Sequence, residues 1–324
     1  MTATDATEVL ATKDPAAHLD DSIKTDSLFG DLIGPARYLA PERERLSALT
    51  WPAFDLRPLG STLGAEITGV DLTTDLPQST IDEIARALAE WKVIFFRDQP
   101  VTSEQHVAFA RRFGDLEIHP FIPSNTGIPE LVRFEKSAEV GGYENSWHND
   151  VTWREVPSRA AILHGIRVPD HGGDTLFADM AAAYDALDDE TKARIEGLTA
   201  EHDFMRSFSG VVPEDRREEM RERYPIQVHP VVVRHPVTGR RTLYVNRNFT
   251  SRILGVEGEE EERALYRRLV MQAWAPEHQV RFQWRTDSIA MWDNFAVQHY
   301  ASSDYWPEVR IMERASIVGT KPTA

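Results

Sequence analysis

The sequence predicts an α+β protein whose single core is mainly β, of the jelly-roll type, flanked by helices. Three observations lead there. Short segments rich in Val, Ile, Phe and Trp recur along the chain, separated by Gly, Pro, Asn or Asp. Helical periodicity is concentrated early and at two insertions. No internal repeat divides residues 46–324 into two units.

Residues 1–45 mix Asp, Thr, Ala, Pro and Lys without sustained periodicity and read as a flexible N-terminal arm ahead of one domain, 46–324. Residues 54–72 read as two short strands, with bends at Gly60 and Gly64. Ile81, Ile84, Leu88 and Trp91 have helical spacing, so a helix is expected over 81–91, opened by a capping box at Thr80 and Glu83. Residues 93–96 form a buried strand, and Thr102 with Gln105 opens a second helix that reaches about Phe113. From Ala160 come a strand, a turn at Gly172 and Gly173, and a strand at 175–177. Residues 179–187 and 189–198 are short helices whose acidic starts suit the helix dipole. Residues 228–234 and 241–246 alternate and are joined through Pro236-Val237-Thr238-Gly239, which is hairpin chemistry. The acidic run 257–262 is a solvated face leading into a helix that ends near Trp274. Strands at 279–285, 288–292 and 310–318 close the chain.

With 324 residues, 41% hydrophobic and 27% charged, the chain has the composition of a globular protein able to bury its own core. Its net charge of -16 argues against a nucleic-acid surface, which needs clustered Lys and Arg. The absence of cysteine excludes disulfides, thiolate metal sites and a cysteine nucleophile. No apolar run reaches the roughly 18 residues of a membrane span, and residues 1–10 lack a basic region followed by an apolar one. A cytoplasmic protein without a membrane partner is expected.

The chemistry starts at Ser146-Trp147-His148-Asn149-Asp150, where an imidazole and a carboxylate stand two residues apart in a segment that reads as extended. Alternate residues of a strand share a face, so His148 and Asp150 are candidates to grip one cation. Two histidines, one carboxylate and open positions are the signature of non-haem Fe(II) oxygenases. Among the 11 histidines His299 stands out as the third ligand, because it lies between the strand at 289–292 and one whose inner face carries charge. On that strand Arg310, Met312, Arg314 and Ser316 alternate onto one side. Arginine holds carboxylates and oxyanions in bidentate fashion, so two of them beside a metal imply two anionic ligands. The bland readings are a histidine bonded to backbone and a pair of solvent-facing arginines.

Trp147-His148-x-Asp150, Gly172-Gly173-Asp174-Thr175, His229-Pro230-Val231, Trp292-Asp293-Asn294 and Gln298-His299-Tyr300, then Arg310 and Arg314, resemble in order and spacing the taurine dioxygenase family of Fe(II)/2-oxoglutarate-dependent enzymes. The similarity runs from about Leu56 to Pro322. It implies a double-stranded β-helix, with His148, Asp150 and His299 as the iron ligands and catalytic centre. Thr175 and Arg310 match the residues that hold the far carboxylate of 2-oxoglutarate. His119, Val151, Ser207, Phe208, Phe249 and Arg314 fall where the family lines its primary-substrate pocket, Arg314 facing an anionic head. The implied reaction hydroxylates a small anionic substrate with 2-oxoglutarate and O2, releasing succinate and CO2. If the hydroxylated carbon carries sulfonate or sulfate, it collapses to an aldehyde plus sulfite or sulfate. Asp150 is a ligand that halogenating relatives lack, which argues for hydroxylation. The family commonly forms dimers or tetramers, so a homo-oligomer is expected.

Ile122 and Glu144 depart from the taurine-specific pattern, standing where that enzyme has a tyrosine and an asparagine. Ile122, Phe208 and Phe249 together imply an apolar pocket for an alkyl sulfate, a longer sulfonate, or an aryloxy or amino carboxylate. Glu144 adds a charge that weakens binding of a small sulfonate unless it pairs with a substrate amine. A zinc hydrolase on the same triad has no use for Arg310 beside Thr175. A non-catalytic relative has no reason to keep three ligands and two arginines.

Overall fold

The computed structural model describes residues 36–120, 122, 124–125, 127–142, 144–210 and 212–324. Residues 1–35 of the expected arm lie outside the described residues. Within the rest of it, Arg37–Leu39 is a 3-10 turn and Ala40–Ser47 a helix, whose Leu46 joins the main core.

Sixteen strands form among the described residues: β1 Asp55–Pro58, β2 Ala65–Thr68, β3 Val93–Phe96, β4 Ser124–Asn125, β5 Ile128–Lys136, β6 Ala160–Arg167, β7 Thr175–Asp179, β8 Thr199–His202, β9 Gln227–Pro230, β10 Val232–Arg234, β11 Arg241–Leu243, β12 Thr250–Leu254, β13 Gln279–Phe282, β14 Ile289–Asp293, β15 Val297–Ala301 and β16 Arg310–Ile317. Eight make one sheet in the order β1-β2-β3-β14-β6-β16-β5-β4. Its pairs are antiparallel except β2 with β3. A β13-β7-β15 sheet packs across from it, and β12-β8-β9 and β10-β11 complete the β core.

Between the eight-stranded sheet and β13-β7-β15, Phe95, Leu163, Trp292 and Met312 meet Phe177, Val280, Phe282 and Val297. Phe95 stacks on Phe282 with ring centres 4.1 Å apart. The other face of the large sheet is covered by the helices Gln78–Trp91 and Ser103–Arg111, through Ile81, Ile84, Leu88, Val107 and Phe109. Central strands are therefore buried on both faces, which is why Val93–Phe96 is apolar without alternation. In β16 Met312 enters the layer between the sheets, while Ala315 and Ile317 face the helices. The same alternation aims Arg310 and Arg314 inward, roughly 13 Å apart along the strand. This two-sheet β core with helices outside is the jelly-roll architecture the sequence predicts.

The Thr102 and Gln105 capping box forms as expected. Thr80 and Glu83 do not form one: the helix starts earlier, at Gln78 after Pro77, and Glu83 instead accepts from the backbone N–H of Ala53 at 3.2 Å. Residues 146–150 are not a strand. Only His148 bridges, to His299, and Asp150 lies in a turn with Val151 at φ 48°. His299 stands on its own strand, β15, which the reading placed between strands, and β5, β8 and β12 also go beyond the strands read from the sequence.

Candidate active site

His148 and His299 are tied by a pair of backbone hydrogen bonds, 3.1 and 2.8 Å, so the two imidazoles come from adjacent extended segments. Asp150 reaches them from the turn rather than along a strand. His148 Nε2 and His299 Nε2 lie 3.9 and 4.0 Å from Asp150 Oδ1, and all three ligand atoms fall within 4.8 Å of one another. His148 Nδ1 donates to the Ser146 carbonyl at 2.7 Å, which leaves the Nε2 lone pair free to ligate. Burial and then the neighbouring His148 push the His299 pKa down to about 3, so its imidazole is neutral. Burial opposes the charge of Asp150, but Arg314 and then the two histidines bring its pKa down to about 2. Two imidazoles and one ionised carboxylate are a donor set that fits Fe(II).

Arg310 gives the second test of fit. It is 7% exposed, its guanidinium carbon lies 5.9 and 5.7 Å from the ring centres of Trp284 and Tyr305, and its buried Nε and Nη2 have no hydrogen-bond partner among the described residues. Buried guanidinium donors without acceptors are unfavourable, and a carboxylate with two oxygens meets the need of both nitrogens. Gly173 makes room for it. A Cβ there would come 3.3 Å from Arg310 Cδ and Nε, and its φ of 69° is a glycine conformation. Thr175 lines the same cavity, its hydroxyl accepting from Trp284 Nε1 at 2.9 Å.

Arg314 is held differently, since its Nη1 donates to both oxygens of Asp150, at 2.9 and 3.0 Å. His119 Nδ1 accepts from the N–H of Ile122 at 3.0 Å, so the neutral ring carries its proton on Nε2. Burial, with Arg314 next, pushes its pKa down to about 3. Ser207 donates to the Asn248 carbonyl at 3.0 Å. Phe249 packs edge-on to His148 and parallel to Phe208, with ring centres 6.4 Å apart in both pairs. Glu144 is paired within the chain, its Oε1 2.9 Å from Lys136 Nζ. The structure brings every predicted site residue together: His119, Ile122, Glu144, His148, Asp150, Val151, Thr175, Ser207, Phe208, Phe249, His299, Arg310 and Arg314 all line one cavity of about 720 Å³.

Sequence reasoning gave no role to Asn294. Its Oδ1 accepts from the N–H of Asp150 at 2.7 Å, and its Nδ2 donates to the carbonyls of Asp150 and Ser158, both at 2.9 Å. Asn149 in turn donates to the carbonyls of Asn294 and Val297. This double clamp fixes the turn in which Val151, a β-branched residue, is held at positive φ. His229 supports the same turn from outside, its Nε2 bonded to the carbonyls of Thr152 and Arg154. The signal available was the Trp292-Asp293-Asn294 motif, which did not say what the carboxamide holds.

A jelly-roll core with this triad and a lone guanidinium beside it defines an Fe(II)- and 2-oxoglutarate-dependent dioxygenase. The family model of the taurine catabolism dioxygenase TauD, TfdA family matches residues 55–316, and the chain belongs to that family. It is similar to an alpha-ketoglutarate-dependent sulfate ester dioxygenase of Pseudomonas putida, 35% identical over 83% of this chain and 91% of the relative. It is also similar to the (S)-phenoxypropionate/alpha-ketoglutarate-dioxygenase of Sphingobium herbicidovorans, 35% identical over 83% of this chain and 96% of the relative. A crystal structure of a taurine dioxygenase from Burkholderia xenovorans superposes with a TM-score of 0.73 at 36% identity, covering 84% of this chain and 92% of that one.

Proposed function

We propose that the protein hydroxylates the carbon bearing the sulfate ester or sulfonate group of a small anion with an apolar tail. One oxygen atom of O2 enters the substrate and the other enters succinate, as 2-oxoglutarate loses CO2. The hydroxylated carbon then collapses to an aldehyde and releases sulfate or sulfite. The observation that carries this reading is Arg310, a buried guanidinium with two unpartnered nitrogens on the same strand face as Arg314.

In this reading His148, Asp150 and His299 hold Fe(II), which supplies oxygen activation when bound. Arg310 and Thr175 take the far carboxylate of 2-oxoglutarate and fix its orientation. Arg314 receives the anionic head of the primary substrate, and His119 offers it a ring N–H without adding charge. Ile122, Val151, Phe208 and Phe249 pack on the tail and keep water from the reacting carbon. The sulfate ester relative supports that head group. An aryloxy carboxylate is the second reading, favoured by the phenoxypropionate relative and by the two phenylalanines of the pocket. A cytoplasmic address and a homo-oligomer belong to the same proposal.

Succinate release from purified protein with Fe(II), ascorbate and 2-oxoglutarate tests this across alkyl sulfates, alkylsulfonates, taurine, aryloxyacetates and amino acids. Alkyl sulfates or longer sulfonates are expected to raise succinate about tenfold or more over the substrate-free background, with sulfate or sulfite released mole for mole. Highest turnover of an aryloxyacetate would move the reading to carboxylates. Stimulation by none of the compounds would overturn it.

A further inference from the structure

We infer that the Lys136–Glu144 ion pair is a specificity-determining element, which cancels charge on the pocket wall and restricts the primary substrate to anions whose tails carry no ammonium group. The inference rests on the dioxygenase reading and names the substrate class of that same site.

Both side chains line the cavity. Lys136 ends β5, its side chain is 8% exposed, and its ammonium lies 2.9 Å from the Glu144 carboxylate, which is 29% exposed. Lys136 is also the strand partner of Arg310 across β5 and β16. Two buried cations therefore sit side by side, and Glu144 lies close enough to act on Arg310 as well as Lys136. With 2-oxoglutarate on Arg310, the charges of this wall are balanced without help from the primary substrate.

The remaining carboxylates of the lining are engaged as well. Asp150 holds Arg314, and Glu135 lies 3.4 Å from Arg133, whose stronger contact is with Glu313 at 2.9 Å. A substrate ammonium that took Glu144 would strip Lys136 of that carboxylate, leaving it buried beside Arg310 and adding a third cation. Breaking the pair in this way is unfavourable, because it takes a carboxylate away from a buried ammonium. An apolar tail disturbs no pair and gains contact with Ile122, Val140, Phe208 and Phe249. The cavity, about 720 Å³, lies in the range that takes drug-sized ligands, so length of tail is not what limits it.

The test compares n-hexyl sulfate with its ω-amino analogue, by anaerobic titration calorimetry on the Fe(II)/2-oxoglutarate-loaded protein and by succinate release. The wild type is expected to bind the neutral-tailed sulfate about 100-fold more tightly. Lys136→Met, with Lys136→Gln as its polar counterpart, frees Glu144 and is expected to shrink that preference about tenfold. The double variant Lys136→Met/Glu144→Leu removes both charges and is expected to keep the preference, which separates charge from packing. A wild-type preference below about threefold, or one unchanged in both Lys136 variants, would overturn the inference. The expected binding pattern without succinate from either compound would leave the ion pair its role and sink the dioxygenase reading instead.

Discussion

Arg310 and Arg314 stand four residues apart on the inner face of one strand, equally buried at 7% exposure, yet their surroundings are opposite. Arg310 lies near two aromatic rings with Nε and Nη2 unpartnered among the described residues. Arg314 already grips both oxygens of Asp150. Burial alone therefore does not fix the role of a guanidinium; its partner does. Arg310 carries a desolvated charge that an incoming carboxylate relieves outright. In the proposed function Arg314 exchanges an internal anion for an external one, so its net gain is smaller and its movement reaches Asp150.

The contrast is sharpest in Arg310→Met. It is expected to weaken 2-oxoglutarate binding about 100-fold or more, while the ligand-free protein melts no lower than wild type, since two buried donors without acceptors have been removed. Calorimetry and thermal melting together check both halves; a large fall in Tm would show that Arg310 has an internal partner. Arg314→Met should behave in the reverse way. It leaves Asp150 buried and unpaired, which costs about 3 kcal/mol of ligand-free stability, and raises the KM of the primary substrate about tenfold with little change in 2-oxoglutarate affinity. Identical phenotypes for the two variants would end the distinction.

Asn294→Ala asks whether the Asp150 turn is positioned from behind. Loss of the clamp on both the N–H and the carbonyl of Asp150 is expected to weaken metal binding about 10-fold to 100-fold, measured by Co(II) titration. Adding Val151→Gly should restore part of that affinity by relieving the positive φ. A mere packing role for Asn294 would leave Co(II) affinity near wild type.

A further effect concerns acid. Burial, and next the adjacent His164, push the His106 pKa down to about 3, against 6.5 for a free imidazole. The unfolded chain binds this proton more readily between those two values. Stability is therefore complete above about pH 6.5 and falls by at most about 1.4 kcal/mol per pH unit from this group as the pH drops toward 3. His106→Met should flatten urea-measured stability between about pH 6 and 4 by that slope; an unaltered slope would show that His106 protonates within the folded state.

Much of the fold and site was legible because the signals were local. Strict alternation in 310–316 placed two arginines and Met312 on one face, and the unbroken apolar run Val93–Phe96 marked a strand covered on both sides. The misreadings share a cause. Thr80 and Glu83 have capping-box spacing, but the restricted backbone of Pro77 starts the helix sooner. His148 and Asp150 have strand spacing, but Asn294, 144 residues away, holds Asp150 in a turn. β15 is short and carries Gln298 and His299, so its apolar pattern is weak although β7 on one side and the His148 bridge on the other define it. Glu144 reads from the sequence as a charge open to a substrate amine, because nothing in the neighbouring sequence announces that Lys136 meets it.

In the proposed function the His148, Asp150 and His299 triad and Arg310 together form one metal and 2-oxoglutarate site. The most direct test is the visible absorption that develops when Fe(II) and 2-oxoglutarate are added anaerobically. The wild type is expected to develop a band that saturates at one 2-oxoglutarate per chain, His148→Ala to give none, and Arg310→Met to need about 100-fold more 2-oxoglutarate for the same band. A full band in His148→Ala, or an unchanged titration in Arg310→Met, would contradict it.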